Sequence, residues 1–346
     1  MADDAIATED IAMKDFEILV FEGAYPSSVA MSRDILDAAC TLARSLGLPA
    51  PGWGLYSLHG GRLALRDGIS VETGPLPPRR AGLRSVCVLP GLGTDPASIL
   101  ARMREPDGRA IARRLAAHVA RGGEVAASCS AVFVLAAAGL LDGRRVTTTW
   151  WLGQALAQQA PDCRVDIDRM VCADGPVVTA GAAFAHADLM LHLLRGRFGP
   201  KLSEAVANML LLEHRHAQAA FVIPEVLASG HALVSRLTAR IEAAFPRVPP
   251  VAELARELCI SERTLARHVR QATGKAPLAF IQGIRLQRAR ALLHNSRMTV
   301  EQVAAHVGYQ DATALRRLMR KTTGATPARF RAQVDVDPAD ARRSPA

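Results

Sequence analysis

A pattern in the last third of the chain occurs twice, about fifty residues apart. The corresponding pairs are Ala255 with Ala304 at an offset of 49, and Arg267, Gly274, Pro277 and Phe280 with Arg317, Gly324, Pro327 and Phe330 at an offset of 50. The turn in the second copy is therefore one residue longer. A repeated supersecondary unit constrains the fold more than either copy alone, and this repeat predicts two similar helical units in one domain.

The first copy has the pattern of two helices joined by a tight turn at Cys259-Ile260. Ser261 suits the N-cap of the second helix, and Gly274 suits its end. The apolar face of the first helix consists of Val251, Leu254, Ala255 and Leu258. In the second helix Leu265 and Val269 should face inward, whereas another face carries Arg263, Arg267 and Arg270. Burying unpaired arginines is costly, so the arginine face should be exposed.

The second copy repeats this arrangement around a turn at Gly308-Tyr309, with Asp311 as the expected N-cap. Residues expected inside are Val303, Ala304, Val307, Leu315, Leu318 and Met319, and residues expected outside are Thr313, Arg316, Arg317 and Arg320. An amphipathic helix at 281–293 connects the two copies. Two helices held in this way can enter successive major-groove segments, about 34 Å apart, where guanidinium groups can bind guanine O6 and N7.

Positive charge is concentrated in the same region. Residues 1–229 contain 22 Lys and Arg against 24 Asp and Glu, whereas residues 230–346 contain 20 against 9, mostly arginine. A basic domain after a nearly neutral one is typical of a protein with a polyanionic partner. The alternative is a solvated basic surface, and the two arginine faces favour the nucleic-acid interpretation.

The repeat resembles the DNA-binding domain of the AraC/XylS family of bacterial transcription regulators over roughly residues 231–332. The matching residues are Arg285 to Leu293 (R-L-Q-R-A-R-A-L-L), Val303-Ala304, Gly308-Tyr309, Asp311, Arg317, Gly324, Pro327 and Phe330-Arg331. Leu315 and Met319 stand where the family usually has phenylalanine, and Phe330 where tyrosine is common.

The AraC/XylS resemblance implies which residues contact DNA. Its base-reading positions fall on Arg263, Ala266 and Arg267 in the first unit, and on Ala312, Thr313, Arg316 and Arg317 in the second. The predicted DNA-binding surface also includes Thr264, Arg270 and Arg320. For any single arginine, the alternatives are a phosphate contact, which carries no sequence information, or a solvated charge.

The first two thirds of the chain alternate between strand and helix patterns. Strands are expected at 16–21, 55–58, 86–89, 125–127 and 177–179, and helices at 30–46, 111–121, 132–138, 188–194 and 201–216. This alternation predicts a doubly wound, parallel α/β sheet of the flavodoxin-like kind. Ligands of such sheets bind beyond the carboxyl ends of the strands.

Cys129 lies between small residues where a predicted strand meets a predicted helix, like the nucleophile elbow of α/β enzymes. A helix N-terminus at this point predicts a lowered thiol pKa. Residues 14–212 resemble the PfpI, class I glutamine-amidotransferase-like superfamily, in particular its non-enzymatic regulators fused to AraC-type domains, the GlxA-like group. The resemblance is carried by residues 128–136 and 138–145, Thr147 to Trp150, Thr179 to Gly181 and Asp188.

The sequence lacks histidine at the places where this superfamily usually activates its cysteine. Ser130 and Thr149 stand in those places, and a thiol without an imidazole base is a poor nucleophile. His186-Ala187-Asp188 matches the His-x-acid order of amidotransferases, although it also suits a surface histidine and a helix cap. We expect a catalytically inactive effector pocket formed by Glu22, Cys129, Ser130 and Trp150. The alternatives are an inert buried thiol at Cys129, and ordinary core or surface roles for Glu22 and Trp150.

The expected organisation has five parts: a disordered tail at 1–13, an effector-sensing domain at 14–212, a linker at 213–230, an AraC-type DNA-binding domain at 231–332, and a disordered tail at 333–346. The expected function is sequence-specific transcription regulation, with activation as the expected sense. The expected partners are promoter or operator DNA, a small nitrogen-containing effector, RNA polymerase and a second copy of the chain. The alternative is a cysteine-dependent amidase or hydrolase with an accessory DNA-binding domain.

Other classes of protein are disfavoured by composition. The six cysteines are scattered without a C-x-x-C pair, which predicts neither a metal site nor a disulfide framework. Residues 1–14 lack the pattern of a secretory signal. No apolar run approaches the roughly 18 residues of a membrane span. We therefore expect a cytoplasmic protein without a cofactor.

Overall fold

The chain divides into two compact units between Gln218 and Ala219. A computed structural model describes residues 14–77, 85–213, 215, 217–218, 221–223, 226, 231–323 and 326–330 of the 346. The expected tails at 1–13 and 333–346, most of the expected linker at 213–230, Gly324 and Arg331 lie outside the described residues. Within the described ranges, no helix is long and apolar enough to span a membrane.

The first unit contains an eight-stranded sheet with the order β3-β4-β2-β1-β5-β6-β10-β9, and a separate pair formed by β7 and β8. The strands are β1 (Phe16–Leu19), β2 (Trp53–Ser57), β3 (Gly61–Ala64), β4 (Ser70–Pro75), β5 (Val86–Leu89), β6 (Glu124–Ser128), β7 (Arg145–Val146), β8 (Arg164–Val165), β9 (Val171–Asp174) and β10 (Val177–Ala180).

The centre of this sheet is parallel and buried. Strand β1 pairs in parallel with β2 and β5, and β6 pairs in parallel with β5 and β10. Every residue of β5 and β10 is buried, as expected for strands covered on both faces. The predicted flavodoxin-like α/β fold is thus confirmed, but the edges differ because β3 and β9 run antiparallel to β4 and β10.

Two groups of helices accompany the sheet: α1 contacts α6, and α2 contacts α3 and α4. The helices are α1 (Pro26–Leu46), α2 (Pro96–Met103), α3 (Pro106–Ala120), α4 (Val132–Ala137), α5 (Gly153–Gln159) and α6 (His186–Met209). The sequence predicted two helices where α6 is one kinked element. Gly199 has φ 83°, and Pro200 lacks the N–H of a regular helix. The predicted extension to residue 216 was wrong, because α6 ends at Met209.

The described residues of the second unit form helices around two small cores. Its helices are α7 (Ala232–Ala243), α8 (Val251–Glu257), α9 (Glu262–Thr273), α10 (Pro277–Asn295), α11 (Val300–His306) and α12 (Ala312–Thr323). Ile281 and Ile284 of α10 belong to the first core, whereas Leu286, Ala289 and Leu293 belong to the second. Helix α10 therefore joins two helix-turn-helix units, α8–α9 and α11–α12, by contributing side chains to both cores.

Candidate nucleic-acid interface and ligand site

Short polar side chains define where α9 and α12 begin. The Ser261 hydroxyl accepts a hydrogen bond from the Thr264 N–H at 3.1 Å, and the Asp311 carboxylate accepts from the N–H groups of Thr313 and Ala314. Gly274 closes α9 with φ 70°. Because the first N–H groups of a helix lack intrahelical acceptors, such caps fix the helix start. They also fix which side chains face outward.

The turns before these two helices share a left-handed residue. Cys259 has φ 58° and Gly308 has φ 82°, and the two positions correspond in the repeat. A Cβ atom on Gly308 would lie 2.3 Å from the Pro246 carbonyl oxygen, so this turn requires glycine. Position 259 is exposed, so a side chain fits there, although the left-handed backbone of Cys259 is strained.

Arginine side chains form one exposed face on each second helix. On α9, Leu265 and Val269 are fully buried, and the exposed residues include Arg263, Arg267 and Arg270. On α12, Leu315 and Met319 are fully buried, and the exposed residues include Thr313, Arg316, Arg317 and Arg320. We define the reading surface as these seven exposed residues, Arg263, Arg267, Arg270, Thr313, Arg316, Arg317 and Arg320.

Three of the residues expected at the DNA are placed differently. Ala312 is only 6% exposed and belongs to the second core, because it is the first residue of α12 and its methyl group packs inward. Thr264 and Ala266 are half-buried, and the Thr264 hydroxyl lies 2.9 Å from that of Ser261. These three residues are therefore left out of the reading surface, and their contact with DNA stays a prediction.

Arginines of α10 are directed at aromatic rings instead. The guanidinium carbons of Arg285 and Arg288 lie 5.3 Å from the Tyr309 ring centroid and 4.9 Å from that of Phe245. Arg290 lies 4.8 Å from the centroid of Phe330 and 5.3 Å from that of Phe221, and burial lowers its pKa. Cation–π contacts hold such groups within the fold.

Arg316 has a carboxylate partner that the sequence did not reveal. Its Nη2 atom lies 2.7 Å from Oε1 of Glu301 in the first turn of α11. Both side chains are largely exposed, at 49% and 64%, so the pair contributes little to stability. It does restrain the orientation of the Arg316 guanidinium on the reading surface.

The predicted elbow is present at the junction of β6 and the 3₁₀ turn Cys129–Ala131 that leads into α4. Cys129 has φ 55°, a left-handed conformation unusual for a residue with a side chain. Its N–H donates to the Gly181 carbonyl at 2.6 Å, and its carbonyl accepts from the Thr148 hydroxyl at 2.7 Å. Two neighbouring segments thus hold this strained residue, and sequence analysis did not assign them that role.

The thiol of Cys129 is not acidic, contrary to the expectation from its position before a helix. Burial raises its pKa, and hydrogen bonds to the Ser130 backbone and side chain and to the Ala183 backbone oppose the rise only partly. The side chain is 3% exposed. Desolvation of the thiolate therefore raises the pKa by more than the N-terminus of the short 3₁₀ turn lowers it. A raised pKa keeps the group a neutral thiol near pH 7.

The other expected pocket residues are distributed between the interior and the surface. The Ser130 hydroxyl is buried and donates to the Leu92 carbonyl at 2.6 Å. Trp150 is 7% exposed and lies edge-to-face with Trp151, with ring centroids 5.0 Å apart. The Glu22 side chain is 65% exposed and lies 3.8 Å from Arg102, so it belongs to the surface.

His186 is fully buried in α6, so the alternative of a surface histidine was wrong. Its Nε2 lies 2.7 Å from the Ser32 hydroxyl, and its Nδ1 lies 2.9 Å from the Ser128 hydroxyl. The Ser32 hydroxyl donates to the Ser28 carbonyl, so it accepts from Nε2–H and leaves Nδ1 to accept from Ser128. Burial lowers the His186 pKa to about 3.

Asp188 is paired with arginine rather than with histidine. Its carboxylate accepts from Nε and Nη2 of Arg215 at 3.1 and 2.6 Å. Burial raises its pKa, and Arg215 opposes that rise. The His-x-acid order in the sequence therefore does not form a histidine–carboxylate pair, and Ser32 and Ser128 occupy both imidazole nitrogens of His186. Across the residues that the structure describes, no group of His, Cys, Asp and Glu is arranged to hold a metal ion.

Two family models match this chain, one in each unit. The DJ-1/PfpI family matches residues 87–196, and a helix-turn-helix domain matches residues 254–333. The chain is 30% identical over 210 residues to the HTH-type transcriptional regulator CdhR of Pseudomonas aeruginosa, covering 58% of this chain and 60% of CdhR. It is 26% identical over 282 residues to the regulator GbdR of that organism, covering 80% of this chain and 73% of GbdR.

Similarity extends to a rhizobial regulator and to a solved structure. The HTH-type transcriptional regulator GlxA of Rhizobium meliloti is 30% identical over 203 residues, covering 57% of this chain and 62% of GlxA. The chain thus spans about three fifths of CdhR and of GlxA. A solved AraC family transcriptional regulator from Pseudomonas putida is 22% identical with a TM-score of 0.46, covering 57% of this chain and 99% of that one. The two domain resemblances predicted from the sequence are confirmed: this chain joins a DJ-1/PfpI domain to a helix-turn-helix domain of the AraC type.

Proposed function

We propose that this chain is a sequence-specific DNA-binding transcription regulator controlled by a small molecule in its first unit. The reading surface is the observation that carries the proposal. Two capped helices present arginines at matching positions of a repeated unit, on the faces opposite their buried leucine, valine and methionine residues. A guanidinium fork matches guanine O6 and N7 in the major groove. The names of CdhR, GbdR and GlxA, all HTH-type transcriptional regulators, support this function.

The residues proposed to contact DNA are those of the reading surface. Arg267 and Arg317 occupy corresponding positions on α9 and α12, so we assign them equivalent contacts in two half-sites. Thr264 and Ala266, which are half-buried, support the shape of the α9 face rather than supplying charge. The proposed partners are an operator duplex, a second copy of the chain, RNA polymerase and a nitrogen-containing effector.

A binding selection tests the DNA part of the proposal. The full chain is incubated with a pool of random duplexes, and bound sequences are recovered and read over successive rounds. We expect enrichment of a site with two short elements about one helical turn apart, because two recognition helices of one domain read one face of DNA. A chain in which Arg267 and Arg317 are both replaced by Ala should lose this enrichment. Recovery of the unselected pool from the wild-type chain would contradict sequence-specific binding.

We further propose that the elbow binds its ligand without catalysis. The site has no activated nucleophile. The Cys129 thiol is buried and neutral, and both nitrogens of His186 are occupied by serine hydroxyls. The test uses thermal unfolding of the full chain with a panel of small amines, amides and amino acids, since a ligand of the folded state raises the unfolding temperature. Cys129→Ala should weaken that rise, and Cys87→Ala, a buried cysteine in β5, should not. Amide hydrolysis that disappears in Cys129→Ala would overturn the proposal.

A further inference from the structure

The last described residues of the first unit are fastened to the end of the sheet that carries the elbow. We call Arg215, Ala217 and Gln218 the strap. Ala217 forms an antiparallel bridge with Arg169, and the Gln218 N–H donates to the Asp168 carbonyl at 2.9 Å. Arg215 donates to Asp188 and to the Phe184 carbonyl. The strap is therefore held by its backbone and by side chains at both of its ends.

The side chain of Gln218 is the most enclosed part of the strap. It is 2% exposed, and Nε2 lies 3.0 Å from the Thr147 hydroxyl oxygen and 2.9 Å from the carbonyl oxygens of Thr148 and Arg169. Its Oε1 atom has no hydrogen-bond partner among the described residues. A buried carbonyl without a hydrogen-bond donor is unfavourable. The docked strap therefore makes specific hydrogen bonds through Nε2 but leaves the Oε1 acceptor unused.

Gln218 contacts both residues that hold the backbone of the elbow. A Cβ atom on Gly181 would lie 2.2 Å from Cδ and from Oε1 of Gln218, so the amide lies directly against this glycine. Gly181 accepts the Cys129 N–H, and the Thr148 hydroxyl donates to the Cys129 carbonyl. One side chain thus supports the left-handed backbone of Cys129 from two sides.

We propose that Gln218 is a positioning residue for the elbow and couples occupancy of the elbow to the docking of the strap. The inference rests on the proposed function, in which the elbow is the effector site. Cys129 is almost fully buried, and Gly181 and Thr148 hold its backbone. An occupant that moves this backbone therefore disturbs the contacts of the Gln218 side-chain amide. Gln218 is also the last residue of the first unit. Coupling of this kind is reciprocal, so loosening the strap must also open the elbow.

The first test measures how fast iodoacetamide alkylates each cysteine of the full chain, by mass spectrometry of the peptides. Gln218→Met keeps the length of the side chain but removes its amide donors. We expect alkylation of Cys129 to rise about fivefold or more, within the range of typical coupling between sites, while alkylation of Cys87 stays unchanged. Gln158→Ala, an exposed glutamine of α5, is the control. A parallel rise at Cys129 and Cys87 would indicate a merely structural role and overturn the inference.

The second test examines the reverse direction. Cys129→Leu places a larger side chain at the elbow, and Cys129→Ala is the matched control with the same backbone requirement. Hydrogen exchange at the backbone N–H of Gln218, which donates to the Asp168 carbonyl, should be several-fold faster in Cys129→Leu than in Cys129→Ala. Equal exchange rates would overturn the coupling even if the chain binds DNA as proposed. Loss of sequence-specific DNA binding would instead contradict the proposed function and leave both strap measurements interpretable. If Cys129→Leu does not fold, the alkylation test decides alone.

Discussion

At the scale of single residues, two equivalent turn positions carry different side chains in the same left-handed backbone. Cys259 bears its side chain at φ 58°, whereas Gly308 at φ 82° faces the Pro246 carbonyl. A left-handed conformation costs a residue with a Cβ atom about 1–2 kcal/mol. In the first turn only this strain acts, because Cys259 is exposed. In the second turn, steric conflict with Pro246 would be added to it.

The two turns should therefore respond oppositely to exchange. Cys259→Gly should stabilise the second unit by up to about 1 kcal/mol, since relief of strain exceeds the entropy of the new glycine in the unfolded chain. Gly308→Ala should destabilise it by about 2 kcal/mol or more, because strain and overpacking combine. Calorimetric unfolding of the full chain measures both variants. Equal and small effects would show that the close approach to Pro246 relaxes without cost.

His186 makes the stability of the first unit depend on pH. Its folded-state pKa is about 3, below the ordinary value of 6.5, so the unfolded chain takes up a proton that the folded chain excludes. Stability is therefore complete above pH 6.5 and is lost as pH falls from there towards 3. From pH 7.5 to pH 5 the loss from this residue is about 2 kcal/mol.

Urea unfolding at several pH values tests this linkage. His186→Gln should be less stable than wild type near pH 7.5, because it loses one of two serine hydrogen bonds, but its stability should change less towards pH 5. His192, whose pKa is also lowered by desolvation, is present in both chains and cancels in the comparison. Parallel pH profiles would show that His186 does not titrate as proposed.

At the scale of secondary-structure elements, the core strands could be predicted because burial on both faces leaves apolar runs. The sequence Val-Cys-Val-Leu of β5 is such a run, and every residue in it is buried. Strand β3, Gly-Arg-Leu-Ala, is mostly exposed and is held by its pairing with β4. No local sequence pattern reveals that pairing. The second of the two helices predicted within α6, at 201–216, was too long because Leu210, Leu211 and Leu212 continue its apolar pattern, although Leu211 adopts φ 54°.

The candidate sites show the same division. Small residues around Cys129 and regular arginine spacing on α9 and α12 are local signals, and they predicted the elbow and most of the reading surface. Gln218 and Glu301 act through contacts with residues distant in sequence, such as Gly181 and Arg316. Such contacts depend on how elements pack, which a single sequence does not encode in any local pattern.

The two recognition helices make separable contributions that substitution can measure. Arg267→Ala and Arg317→Ala should each weaken binding to the selected operator by about 1–3 kcal/mol if they contact bases. Arg316→Ala should cost less than Arg317→Ala, because the ion pair with Glu301 competes with DNA for the Arg316 guanidinium. Arg236→Ala, an exposed arginine of α7, is the control. Fluorescence anisotropy against operator and scrambled duplexes distinguishes the roles, since equal weakening on both would identify phosphate contacts.

At the scale of the whole molecule, charge is divided between the two units as the proposed function requires. The first 229 residues carry nearly balanced charge, and the excess lies in the following 117, with 20 Lys and Arg against 9 Asp and Glu. Part of that excess is held in cation–π contacts by Arg285, Arg288 and Arg290. Other arginines lie exposed on α9 and α12, whose opposite faces form the two cores: Arg263, Arg267, Arg270, Arg316, Arg317 and Arg320. Electrostatic attraction to DNA should therefore originate in the second unit alone.

Salt dependence tests this division directly. Each phosphate neutralised by a protein cation adds about 0.9 to the negative slope of log affinity against log salt. If six or more phosphates are contacted, affinity of the full chain should fall about a thousandfold or more between 50 and 200 mM salt. Replacing a phosphate-binding arginine should reduce the slope by about one, whereas replacing an arginine that binds only a base should lower affinity at every salt concentration with little change of slope.

Arg121→Ala, which replaces an exposed arginine of the first unit, should leave the affinity and the slope unchanged, because its charge is outside the proposed interface. Affinity insensitive to ionic strength, or a slope altered by Arg121→Ala, would contradict an interface confined to the second unit.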